Sequence, residues 1–169
     1  MKSVEEINEM SKAEIWIALH NCCGSNNWVK KMSDARPYES LEAIFTLAEN
    51  IWSRLDEEDF LSAFSHHPKI GDTESLKKKF ADTAHWAGNE QSGVNTATDD
   101  VIEALAKGNM EYENKFGYIF IVCATGKSAQ EMLDILEARL RNEPDDELII
   151  AAAEQAKITD LRLRKWIAI

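Results

Sequence analysis

Apolar positions recur along most of this chain with the period of an α-helix, and serines mark where several helices begin. Ser3-Val4-Glu5-Glu6, Ser11-Lys12-Ala13-Glu14 and Ser128-Ala129-Gln130-Glu131 each set a hydroxyl three residues before an acid, the capping-box pattern. Cys22-Cys23-Gly24-Ser25-Asn26-Asn27 reads as a loop closing the N-terminal helices. Further helices are expected over about 40–55 and 57–65. Another is expected over 98–116, with Val101, Leu105, Tyr112 and Phe116 at helical spacing and Gly117 as its stop. Met132, Leu133, Leu136 and Leu140 carry the same pattern from Ser128 to Arg141, and Pro144 then opens a last helix. At about 100° per residue, Leu148, Ala152, Ala156, Leu163 and Ile167 of that helix share one stripe.

Tyr118-Ile119-Phe120-Ile121-Val122-Cys123-Ala124 is the one strand-like run, apolar and β-branched, and it has no partner strand. It is expected to cross the interior between helices rather than build a sheet. The pattern as a whole predicts an all-α fold. That fold is a compact single-domain bundle over 1–169, made of short and medium helices with one buried extended segment near 118–124.

Composition narrows the picture. The 169 residues are 44% hydrophobic, enough for a core without disulfides, and the 7 Gly and 3 Pro are too few for the turns of an all-β protein. Five Trp are many for this length, and some are expected to line a site or an interface. A net charge of -11 with no basic stripe argues against nucleic acid as a partner. The acidic runs Asp56-Glu57-Glu58-Asp59 and Asp145-Asp146-Glu147 read as solvated helix starts, where acids complement the macrodipole. Cys22, Cys23 and Cys123 form an odd set without framework spacing, which points to a reducing compartment. The first ten residues lack the apolar core of a signal peptide, and no apolar run approaches the roughly 20 residues of a membrane span. A soluble, cytoplasmic protein is expected, with no membrane partner.

Three places depart from packing logic. In Phe64-Ser65-His66-His67-Pro68-Lys69-Ile70-Gly71-Asp72, Pro68 forces the helix to end at His67 and fixes an imidazole at a rigid junction. Imidazole is the side chain best suited to proton transfer near neutral pH, although a His pair at a helix end is more often a surface feature. In His85-Trp86-Ala87-Gly88-Asn89-Glu90-Gln91, the residues Ala87, Glu90 and Gln91 fall within about 100° on a helical wheel. They would floor a shallow polar pocket for a flat, nitrogen-rich ligand, and taken alone they serve equally well as an exposed turn. In Ile158-Thr159-Asp160-Leu161-Arg162-Leu163-Arg164, Arg162 lies about 40° beyond the edge of the apolar stripe. From there it can present its guanidinium to a cleft or simply snorkel to solvent. Arg164 falls near the opposite border. The histidines and cysteines offer neither C-x-x-C nor H-x-x-x-H, so no metal is expected, and no phosphate-binding glycine loop or nucleophile elbow is present.

Taken in order, these segments resemble the 2-oxo-4-hydroxy-4-carboxy-5-ureidoimidazoline (OHCU) decarboxylase family. The resemblance is carried by His67-Pro68 with Ile70-Gly71, Glu90-Gln91, and Phe116-Gly117 leading into Phe120-Ile121-Val122-Cys123-Ala124. Ala138-Arg139-Leu140-Arg141-Asn142 and the segment from Ile158 to Leu163 complete it. It implies an all-α, cofactor-free, commonly homodimeric enzyme that converts a small ureidoimidazoline to (S)-allantoin in urate degradation. By the same resemblance His67 and Glu90 are catalytic. Pro68, Ala87, Gln91, Phe120, Ile121, Val122, Cys123, Ala124 and Arg162 bind substrate. Ala87 stands where many members carry Ser. The contrasting possibility is a non-catalytic helical interaction module, which would show an exposed apolar groove in place of a polar site.

Overall fold

The computed structural model describes residues 1–68, 73–74, 76–77 and 94–168, with the backbone alone over 94–98. Its longer helices are α1 (Val4–Glu9), α2 (Lys12–Cys22), α3 (Asn26–Asp34), α4 (Leu41–Trp52), α5 (Glu57–Ser65), α6 (Val94–Phe116), α7 (Ala129–Arg139) and α8 (Pro144–Ala168). No strand occurs among the described residues, so the fold is all-α as its periodicity predicts. No described helix is long and apolar enough to cross a membrane. The chain divides into two units. One comprises Met1–His67, Ile121–Cys123 and Ile150–Ile169, the other Pro68–Phe120 and Ala124–Ile149.

In the first unit the helix starts follow from local chemistry. Ser3, Ser11, Ser25, Ser40 and Asp56 each adopt extended backbone and accept a hydrogen bond from an N–H of the first turn. Such a cap contributes about 1 kcal/mol. The full capping boxes expected at Ser3 and Ser11 are present, as is the one at Ser128 in the other unit. The loop expected over 22–27 is shorter than its sequence implies. Ser25 caps α3, which buries Trp28, Val29 and Met32 at i, i+1 and i+4, a helix the alternation did not reveal. Two tryptophans pin this core rather than line a site. Trp28 Nε1 donates to the Ala48 carbonyl at 3.1 Å, and Trp52 Nε1 to that of Ala152 at 2.9 Å. Each buried indole thus keeps its one donor satisfied while its rings fill the interior.

In the second unit α6 starts four residues earlier than its pattern predicts and stops at Gly117, whose φ of 80° few other residues adopt without strain. The acidic run at the start of α8 is not solvated throughout. Glu147 is fully buried, and its carboxylate accepts from Arg139 Nε at 2.7 Å, Asn142 Nδ2 at 2.8 Å and the Tyr112 hydroxyl. Arg139 is also buried, and its guanidinium lies 4.8 Å from the centre of the Phe120 ring. Burial, with the neighbouring carboxylate, pushes the Tyr112 phenol far above its usual range, so it stays protonated as a donor. Helix-dipole logic accounts for Asp145 and Asp146, both exposed, while Glu147 is held inside by its cationic partner.

Candidate active site

The end of α5 is built as Pro68 dictates. His66 N–H and His67 N–H turn back to the carbonyls of Ala63 and Phe64 at 3.2 and 3.1 Å, tightening the last turn. Asp59, in the first turn of the same helix, fixes its position. One carboxylate oxygen accepts from the Ser25 hydroxyl at 3.1 Å and the other from Asn27 Nδ2 at 2.9 Å. The loop before α3 is thereby tied to the helix that carries the histidines. Gly24 in that loop lies flat against His66, where an added Cβ would sit 2.5 Å from His66 Cβ and 2.4 Å from Cγ. Those atoms are close to the backbone and cannot swing away. Gly24→Ala is therefore expected to displace the end of α5 and cost about 1–3 kcal/mol, with a loss of turnover that His66→Ala partly restores. Urea unfolding of the single and double variants checks this.

Helix α8 supplies the other side of the site. Gln155, Thr159 and Arg162 fall within about 60° on one face, and the first two are buried despite their polarity. His67 Nε2 lies 2.5 Å from Gln155 Oε1, and Gln155 Nε2 donates to Thr159 Oγ1 at 3.1 Å. Burial pushes the Cys22 thiol up to about 12 and Cys23 up to about 11, against a lowering influence of the Arg162 guanidinium on both. Both thiols are therefore neutral near physiological pH and poor nucleophiles. Beside Gln155, the Glu154 carboxylate accepts from the backbone N–H of Cys123 at 2.7 Å and holds the segment 121–123 to the helix.

Two of the predicted residues, His67 and Arg162, meet on this face of α8, His67 through its hydrogen bond to Gln155 and Arg162 as part of the face itself. Both are half-buried. Ile121 and Cys123 are buried and Val122 is half-buried, all in the same unit. The run 118–124 forms neither helix nor strand, in keeping with its lack of a partner. Pro68, exposed, and Phe120 and Ala124, half-buried, belong to the other unit. Ala87, Glu90 and Gln91 lie outside the described residues. Arg164 stands apart from the site, exposed and paired with Asp160 at 2.7 and 3.0 Å.

Gln155, Thr159 and Glu154 were not singled out in the sequence. The signal was a pair of polar residues four apart inside the apolar stripe of α8, flanked by Ala151, Ala152 and Leu163, all buried. A groove of about 530 Å³ runs between α4 and α8, lined among others by Phe45, Ala48, Ala156, Thr159 and Leu161. Neither His67 nor Arg162 lines it.

A family model described as OHCU decarboxylase matches residues 8–164. The chain belongs to the OHCU decarboxylase family. It is 45% identical over 146 residues to the uric acid degradation bifunctional protein TTL of Arabidopsis thaliana, a match covering 85% of the chain and 44% of that protein. A uric acid degradation bifunctional protein of Bacillus sp. (strain TB-90) is 27% identical over 98% of the chain and 32% of its own length. The chain therefore spans less than half the length of these curated relatives. A crystal structure of OHCU decarboxylase in the presence of (S)-allantoin superposes with a TM-score of 0.71 at 37% identity, covering 89% of this chain and 96% of that one.

Proposed function

We propose that this chain decarboxylates OHCU to (S)-allantoin without a cofactor, with His67 as the proton-transfer group. The observation that carries the proposal is the placement of His67. It is an imidazole at a rigid helix end, held by a buried amide, in a chain whose OHCU decarboxylase match runs over residues 8–164. Decarboxylation requires an electron sink, commonly supplied by a bound cofactor. Here the substrate provides it, because the carboxylated carbon bears a hydroxyl and sits beside a ring C=N. Breaking the bond to CO2 moves its electron pair toward that imine and leaves an enol-enamine. His67 takes the hydroxyl proton, and either it or Glu90 delivers a proton to the carbon bearing the ureido group. Glu90 and Gln91 hold the ring nitrogens and the ureido edge. By the family resemblance, the backbone of Phe120, Ile121, Val122, Cys123 and Ala124 lines the pocket, and Pro68 and Ala87 bind substrate.

Arg162 fixes a carbonyl or the developing oxyanion. A planar two-pronged donor is not replaced by a point charge, so Arg162→Lys is expected to lower kcat/KM at least about tenfold with stability unchanged. Arg164→Lys, outside the site, keeps wild-type kinetics. Equal kinetics for the two variants would remove Arg162 from the site.

The groove between α4 and α8 is what an interaction module would offer, but its lining holds no proton-transfer imidazole. A homodimer is proposed from the family resemblance, and the cytoplasm from three buried free thiols. A single domain over 1–169 is supported by the family match, which runs through both units. The direct test mixes the protein with freshly generated OHCU and follows optical rotation. Accumulation of (S)-allantoin faster than spontaneous decay is expected, and racemic product at the uncatalysed rate overturns the proposal.

A further inference from the structure

The base proposed above has two ring nitrogens, and the residues packed behind it distinguish them. We infer that Gln155 is a positioning residue that holds neutral His67 in its Nε2–H tautomer, so that Nδ1 carries the lone pair which accepts the proton. This inference builds on His67 acting as the base.

The case rests on the direction of a hydrogen-bonded chain. Gln155 is fully buried and Thr159 nearly so, at 0% and 5% exposure, so their polar atoms must be satisfied within the protein. Thr159 Oγ1 accepts from Gln155 Nε2 at 3.1 Å, so Gln155 presents its NH2 group to Thr159. The carbonyl end of Gln155 then faces His67 Nε2 at 2.5 Å. A carbonyl only accepts, so Nε2 must bear the hydrogen. Neither the Gln155 amide nor the Thr159 hydroxyl ionises near neutral pH. The same Gln155 carbonyl also accepts from the imidazolium. The ring can therefore take a proton at Nδ1 and give it back there without exchanging its rear hydrogen bond.

The tautomer is read directly from two-bond 1H–15N correlations of His67 in the wild-type protein, without recourse to activity. The expected pattern is a single tautomer with Nε2 protonated. A protonated Nδ1 overturns the inference. In Gln155→Met, of similar length but without an acceptor, the tautomers are expected to mix and kcat to fall at least about tenfold with KM nearly unchanged. Gln155→Glu keeps an acceptor and adds charge. It is expected to hold the Nε2–H tautomer and move the acid limb of the kcat/KM profile to higher pH, because a carboxylate beside the ring favours the imidazolium. A purely structural Gln155 would lower stability in both variants and move neither tautomer nor pH profile, which also overturns the inference. His67→Asn separates the two levels. If it retains turnover, the base assignment fails. If it is inactive while Gln155→Met keeps the wild-type tautomer and kcat, the positioning role alone falls.

Discussion

His67→Asn is expected to lower turnover by roughly 10²–10⁴-fold, the usual worth of a positioned general acid–base group. Asparagine cannot exchange a proton near neutral pH, yet it offers polar atoms of similar placement. The stability cost is limited to the bond with Gln155. Its buried carbonyl loses a donor at 2.5 Å, a loss of about 1–3 kcal/mol if no water replaces it. The helical circular dichroism should be unchanged. His66→Asn supplies the control. That ring is exposed, with Nδ1 2.9 Å from the Ser62 carbonyl and its edge against His20 at 4.7 Å between centroids. Its replacement should leave kcat close to wild type. If His66→Asn is the inactive variant, the base has been assigned to the wrong neighbour.

The largest effect on stability is expected at the other end of α8. Glu147→Gln removes the charge opposite Arg139, whose side chain is 7% exposed. Breaking a buried pair from one side costs about 3–5 kcal/mol, a large part of the roughly 5–15 kcal/mol that holds a typical domain. The amide also gives up half the acceptor capacity that Tyr112 and Asn142 now use. Urea unfolding should show the midpoint falling sharply with little change in slope. The double variant Arg139→Met, Glu147→Leu removes both charges and is expected to recover much of the loss. A Glu147→Gln protein within about 1 kcal/mol of wild type would mean that this ion pair contributes little beyond shape.

These cases also show where sequence was informative. Helix starts were legible because a serine hydroxyl and an acid three residues later meet through local geometry alone, as at Ser3, Ser11 and Ser128. The end of α5 was legible for the same reason, since Pro68 restricts its neighbour wherever it occurs. What escaped depends on distant partners. Glu147 looks like Asp145 and Asp146 until Arg139 is brought against it. Gln155 and Thr159 look like interruptions in an apolar stripe until His67 arrives from elsewhere in the chain. The helix α3 was hidden by a polar start, Ser25-Asn26-Asn27, whose composition is that of a loop although Ser25 serves as its cap.

The adjacent thiols Cys22 and Cys23 have a practical consequence. They are almost wholly enclosed, and both stay protonated far above neutrality, so a small alkylating reagent cannot attack them in the closed protein. Their labelling must wait for the corner between α2 and α3 to open. When reclosing outpaces modification, the labelling rate reports the free energy of that local opening, in the manner of amide exchange. The chain thus carries a native clock beside its own site. Substrate or product that slows the clock would be seen to bind, by mass action, before any chemistry is measured.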